Sequence, residues 1–317
     1  MKLIEAYELA VRTGIEHDIR SKEEIESLLR QEKTIYDSLD ERGRGLFDKE
    51  RLWNPYYDTR FSWGDKDLEA ECMMWGIDIE TGEVLLADRL REKGRKISAI
   101  VAHHPTGTSK VPFPQVIQVQ KDLYNRYGVP MNVLDGMMDQ RTQEVTRGVL
   151  PTNYNQTVDA AKLLGIPIMN IHMPADNCVQ YYLTKVMEKA DPQRMDEIID
   201  VLMDIPEFQV STRYNCPPKI VVGGPKDHCG KVMCKMNGGT SSPKEIYEKL
   251  ETAGVGTVIG MHFPENHIEE ARKHNIRLVV SGHMASDSLG VNMICDVWEK
   301  HGIDVLPCSG LIRVKRD

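Results

Sequence analysis

Apolar residues follow two rhythms along this chain, and the rhythm changes near residue 70. Before that point Ile25, Leu28, Leu29, Ile35, Tyr36 and Leu39 recur mostly at helical spacing, with charges on the opposite side. Ser21 and Glu24 open the run as a capping box: the hydroxyl accepts an amide of the first turn while the carboxylate reaches back. Gly43-Arg44-Gly45 marks its end. Residues 51–67 then carry Trp53, Tyr56, Tyr57, Phe61 and Trp63 with neither period, and read as a packed connection over the core.

Beyond residue 70 short apolar runs alternate with amphipathic stretches, the pattern of an α/β fold with a mixed or parallel sheet. Strands are predicted over 72–79, 97–102, 166–171, 219–222, 256–261 and 276–281, with 131–134 also extended. Helices are predicted over 82–93, 114–127, 157–164 and 264–274. A tight loop over 238–243 leads into a second capping box, Ser242 with Glu245, with Pro243 at the favoured first helical position. The composition turns charged near Asp191, which divides the chain into a helical extension over 1–66, a first α/β lobe over 67–191 and a second over 192–317. The lobes share an order of elements without a close sequence repeat.

Composition narrows the class. Of 317 residues, 41% are apolar and 28% charged, which suits a folded globular protein. No apolar stretch is long enough to span a bilayer, and the first 20 residues lack the apolar core of a signal peptide, so a cytoplasmic protein with no membrane association is expected. Forty Lys and Arg against 48 Asp and Glu leave a net charge of −8, which counts against a nucleic-acid coat protein. Seven cysteines form no CxxC pair. Cys216, His228, Cys229 and Cys234 lack the spacing of a zinc knot and read as reduced thiols in a reducing compartment.

The chemistry gathers where predicted strands end. His103-His104-Pro105 follows the run 97–102, and two successive imidazoles at a strand exit can diverge into one cleft. His172 and Asp176 follow the run 166–171; His283 and Asp287, again four apart, follow 276–281. Open α/β sheets bind ligands beyond the carboxyl ends of their strands. A set of nitrogen and oxygen donors without thiolate suits Zn²⁺, Fe²⁺ or Mn²⁺ in a hydrolytic site. The loop over 238–243 could offer amides to a phosphate, with Lys110, Lys226, Lys231 and Lys235 as basic residues that could help.

The run Ile-Val-Ala-His103-His104-Pro105, then His172-x-x-x-Asp176, then Gly282-His283-x-Ala-Ser-Asp287 resembles the NIF-three-like family, whose members are often labelled GTP cyclohydrolase I type 2 homologues. The resemblance implies two similar α/β lobes with mixed sheets enclosing a dinuclear metal cleft, with two divalent ions per chain held by His103, His104, Asp176, His283 and Asp287. In that scheme His103, Asp176 and Asp287 hold one ion and His104, His283 and Asp287 the other. It also implies a homo-oligomer, often a homohexameric ring, and a hydrolase acting on a purine nucleotide or another small molecule such as a phosphoester. His172, His262 and His267 are the candidates for proton transfer beside the metals. The chain departs from the family in having Asp287 where Glu is usual, the polar run 106–110 after the paired histidines, and a first 65 residues that match the family poorly. The alternative is a metal-binding scaffold that acts through protein partners with little turnover.

Overall fold

The computed structural model describes residues 1–316, and two mixed sheets organise them. The described residues form nine strands: β1 (Arg60–Trp63), β2 (Cys72–Gly76), β3 (Ala99–Ala102), β4 (Ile168–Asn170), β5 (Lys219–Val222), β6 (Lys231–Lys235), β7 (Val255–Gly260), β8 (Arg277–Val280) and β9 (Asp304–Cys308). The first sheet runs β1-β4-β3-β2-β9 and the second β5-β8-β7-β6. In each, the first strand lies antiparallel on the fourth, and the fourth, third and second follow in parallel. The lobes are therefore two copies of one topology, and β9 extends the first. Both β3 and β4 are buried along their whole length, which is why they read as unbroken apolar runs rather than alternating ones.

Two helices that carry the chain from one sheet to the other matter most. The helices Met173–Ala190 and His283–Lys300, of 18 residues each, leave β4 and β8 and pack against one another. At their closest approach Gly290 faces the Ala175 carbonyl; a Cβ there would stand 2.1 Å from that oxygen. The helix Leu3–Glu16 completes the same core. It buries Leu3, Ala6, Tyr7, Ala10 and Val11, and the Trp298 indole donates to the Ala6 carbonyl at 2.9 Å. By contrast, the helix Lys22–Ser38 buries only Ile25 and Glu32, and its Ser21–Glu24 capping box forms as the sequence predicts.

Several elements differ from the sequence reading. Residues 131–134 are not extended; they open the helix Met131–Val149, whose Leu134, Met138 and Thr142 are buried at four-residue spacing. Ser242 caps no helix, because its hydroxyl donates to Gln120 at 2.6 Å and the next helix begins at Ile246. Gly43 and Gly45 lie inside the short helix Glu41–Leu46 rather than closing the longer one, which ends at Ser38. Strands β1, β6 and β9, and the helices Met173–Ala190 and His283–Lys300, are not among the elements the sequence predicts. The aromatic segment does cover the core, with Tyr56 and Phe61 buried and Tyr7 edge-on to both Trp53 and Phe61.

Candidate metal centre

The carboxyl ends of β3, β4 and β8 deliver their histidines to one place. His103 and His104 directly follow β3; His172 caps the helix Met173–Ala190 just beyond β4, with Asp176 in its first turn; and His283 opens the helix after β8, with Asp287 one turn further along. Asp287 lies at the centre. One of its oxygens is 3.6 Å from His103 Nε2; the other is 3.4 Å from His104 Nε2 and 3.2 Å from His283 Nε2. Asp176 stands 3.5 Å from His103 Nε2. Two groups of donor atoms result, His103 with Asp176 and Asp287, and His104 with His283 and Asp287, sharing Asp287. His172 joins the two strand-end histidines in a third group.

The outer ring nitrogens explain why the inner ones face the cluster. His103 Nδ1 meets the Ile171 carbonyl at 3.2 Å, His104 Nδ1 meets Asp78 at 2.7 Å, and His172 Nδ1 meets the buried Asp58 at 2.5 Å. Carbonyls and carboxylates only accept, so each Nδ1 carries a proton and donates outward, which turns each Nε2 toward the centre, where a metal ion would take its lone pair.

The donor set fits divalent cations. His103 Nε2 and Asp287 Oδ2 are buried without a hydrogen-bond partner, and at 3.2–3.6 Å the contacts around them are ion-pair distances rather than good hydrogen bonds. Charge in the cluster is unevenly matched. Burial raises the Asp287 pKa, but His103, His104 and His283 outweigh it and hold the carboxyl far below its usual range. Asp176 is pushed well above that range by burial, and Asp287 and Asp58 add to the effect against His103. For His104, burial is outweighed by Asp287 and Asp78, which bring it to about 9. A second carboxylate that the imidazoles leave uncompensated suits a site for added positive charge.

A cavity of about 340 Å³ opens onto the cluster, at the lower end of the range for small-molecule sites. Its lining includes His262, whose ring centroid is 5.2 Å from that of His283 and whose pKa is lowered by burial and then by Lys235. His267 does not line it: its ring is buried behind the wall, with Nδ1 3.3 Å from the Tyr247 hydroxyl. Of the four lysines singled out in the sequence, Lys110 and Lys235 line the cavity, Lys226 pairs with Asp196, and Lys231 meets the Tyr127 carbonyl. Cys229 and Cys234 are buried, Cys216 is exposed, and none joins a metal-binding group among the described residues.

Two residues around the site carried no signal in the sequence reading. Asp78 follows β2 by two residues, a strand-end position that could have been searched; Asp58 sits in the irregular aromatic segment and has no local signature. A repeat was also there to be found. His172-Met-Pro-Ala-Asp176 and His283-Met-Ala-Ser-Asp287 are the same five-residue pattern after equivalent strands, and Ala102-His103-His104-Pro105 is echoed by Gly260-Met261-His262-Phe263-Pro264. The ladders agree, pairing Ala102 with Asn170 in one lobe and Gly260 with Val280 in the other.

No family model matches this sequence, and no curated protein matches it. Solved structures do. A NIF3 superfamily protein from Sphaerobacter thermophilus is 30% identical, over 80% of this chain and 92% of that one, with a TM-score of 0.72. Reduced HcgD from Methanocaldococcus jannaschii is 10% identical, over 78% and 86% of the two chains, at a TM-score of 0.49. Hypothetical protein SA1388 from Staphylococcus aureus is 14% identical, over 82% and 92%, at 0.46. Identity and coverage at the level of the Sphaerobacter protein, together with a shared fold, mean that this chain belongs to the NIF3 superfamily.

Proposed function

We propose that the chain is a dinuclear-metal-dependent hydrolase of a small molecule. One observation carries the reading: the buried Asp287 reaches three imidazole Nε2 atoms at 3.2–3.6 Å from two faces of one carboxylate, with Asp176 beside it. His103, Asp176 and Asp287 would hold one ion and His104, His283 and Asp287 the other, as Zn²⁺, Fe²⁺ or Mn²⁺. When bound, such ions supply Lewis-acid polarisation and activate water. The chain's own residues do the rest. Asp78, the Ile171 carbonyl and Asp58 orient His104, His103 and His172. His172 and His262 line the cavity and are placed to hand on protons, while His267 supports the wall through Tyr247.

The family resemblance favours a purine nucleotide, as in a GTP cyclohydrolase-like ring opening, or a phosphoester as substrate. It also favours a homo-oligomer, up to a homohexameric ring. Seven free thiols support work in the reducing cytoplasm; among the described residues no helix is long and apolar enough to cross a membrane. Metal analysis of protein purified without chelator tests the reading: two ions per chain are expected, with loss in His104→Ala. Turnover of a nucleotide and phosphoester panel with Mn²⁺, Fe²⁺ or Zn²⁺ should vanish in Asp176→Ala. A metal-free wild type that His104→Ala leaves unchanged in every respect overturns it. Light scattering that returns the mass of one chain removes the ring.

A further inference from the structure

The twofold repeat of the lobes places a different chemistry on each side of the cleft. In the first lobe β2 ends at Gly76, in register with Ala102, just before the two strand-end histidines. In the second lobe the equivalent position, in register with Gly260, is Lys235. Met261 stands where the first lobe has His103, so this half keeps one strand-end imidazole, His262, and gains an ammonium.

We infer that this half of the cleft is an oxyanion site, in which Lys235, with His262 beside it, holds the phosphate or carboxylate of a small substrate whose planar apolar body lies against Phe113 and Phe263. The inference rests on the dinuclear reading for what is done to that substrate, but the binding itself is separable. Among the described residues the Lys235 ammonium has one hydrogen bond, to the Thr240 carbonyl at 2.8 Å, and no carboxylate within ion-pair distance. That bond does not account for the lysine, because Gln120 Nε2 already donates to the same carbonyl at 2.8 Å. Two of its three donors are left over. The neighbouring Arg141 is committed elsewhere, to the Ser241 carbonyl at 2.9 Å and to Glu144 at 2.7 Å. Burial draws the Lys235 pKa down to about 8, against a partial offset from Asp176 and with Arg141 adding to it, so an oxyanion at the ammonium would still be a favourable counter-charge. Lys235 is half-buried, and Phe113, Phe263, Met236 and Met261 contribute apolar surface to the lining, so an anion seated there meets an ammonium partly screened from water.

The test is calorimetric titration of phenyl phosphate, benzoate and benzyl alcohol into the full chain, with and without Zn²⁺. Lys235→Met is compared with Lys231→Met, which removes the same charge from the exposed far end of the same strand. Metal content and thermal unfolding are followed in parallel. Lys235→Met should keep its metal and its fold, bind both anions roughly ten- to a hundredfold more weakly, and leave benzyl alcohol unchanged; Lys231→Met should match wild type. The tighter of the two anions identifies the natural group. Anion binding by Lys235→Met within about twofold of wild type overturns the inference, as does failure of wild type to bind either anion, or an equal loss of the neutral probe. A wild type without metal that still shows the Lys235 dependence sinks the hydrolase reading and leaves this one standing.

Discussion

Gly290→Ala should destabilise the protein and loosen its metal site, although the same change elsewhere in a helix would help. Taken alone, replacing a helical glycine by alanine gains about 1 kcal/mol. At Gly290 the new methyl would lie 2.1 Å from the Ala175 carbonyl oxygen and 2.8 Å from its carbon. Both are backbone atoms of a packed helix, so no side-chain rotation relieves the clash. The Met173 and His283 helices must part by about 1 Å, which a close-packed interior resists at a cost of typically 1–3 kcal/mol, more where backbone has to move. Subtracting the propensity gain leaves a net loss of up to about 2 kcal/mol, and more where the backbone shift dominates, a fall of up to a few degrees in melting temperature for a chain of this size. The displacement also falls on the chemistry. Ala175 precedes Asp176, and Gly290 lies one turn beyond Asp287, so the two carboxylates that share His103 separate with the helices. Metal sites tolerate about 0.5 Å of such error, so weaker metal retention should accompany the lower stability. Gly136→Ala is the internal control: it lies in the helix Met131–Val149, exposed, with nothing within 4 Å of a new Cβ, and should stabilise by up to about 1 kcal/mol. Urea unfolding and metal analysis of both variants decide the matter. If Gly290→Ala is as stable as Gly136→Ala and keeps its metal, the helix crossing does not set the site.

Three further outcomes can be measured independently. The buried Asp58 fixes the ring of His172, so nitrogen NMR of metal-free protein at pH 8 should show the Nδ1–H tautomer at His172 and a mixture in Asp58→Ala; an unchanged single tautomer refutes the role. His267 is held down to about 4, by burial first and then by Lys235, against an ordinary 6.5. Its neutral form is therefore favoured in the folded state, and the unfolded chain takes up the proton first as pH falls. Stability should drop between pH 6.5 and 4 and be fully present above that window, with His267→Phe reducing the drop by at most about 3 kcal/mol; parallel pH profiles of the two proteins would count against it. Ser21→Ala removes the cap of the helix Lys22–Ser38 and should cost about 1 kcal/mol, read as faster amide exchange in the first turn of that helix alone. Protection unchanged there would mean the capping box is idle.

How much of this was legible in the sequence depended on whether the deciding interaction was local. Strands β3, β4, β7 and β8 announce themselves because burial on both faces requires continuous apolar runs, and the histidines at their ends follow from the same reading. Strand β9 does not, since Asp304, Pro307 and an edge position give it little intrinsic signal, and its partner β2 lies more than 200 residues earlier. Strand β1 is likewise a four-residue edge strand with Arg60 in it. The extended reading of 131–134 failed because four residues cannot separate a period of 2 from one of 3.6; the buried Leu134, Met138 and Thr142 show the helical period only over a longer window. Ser242 failed for another reason. A capping box is a local preference, and Gln120 and Tyr124, more than a hundred residues away, took the hydroxyl instead.

The site divides along the same line, and its most informative local signal lay in comparison rather than in any single motif. Asp58 and Lys235 acquire their meaning from what the fold puts beside them, an imidazole in one case and the cavity over the cluster in the other. The two His-Met-x-x-Asp segments needed no fold at all. Placed over one another, they align β4 with β8 and carry β3 onto β7, so that His104 falls on His262 and His103 on Met261. Once that alignment is made, the asymmetry is the functional statement. Both lobes bring a His and an Asp on a helix start, but only the first keeps a second strand-end histidine, and only the second places a cation on the neighbouring strand. A duplicated half that had merely drifted would leave that strand end solvent-facing or filled by an apolar side chain. Instead it holds an ammonium with donors to spare, in one cavity with Asp176, the carboxylate that the imidazoles do not balance.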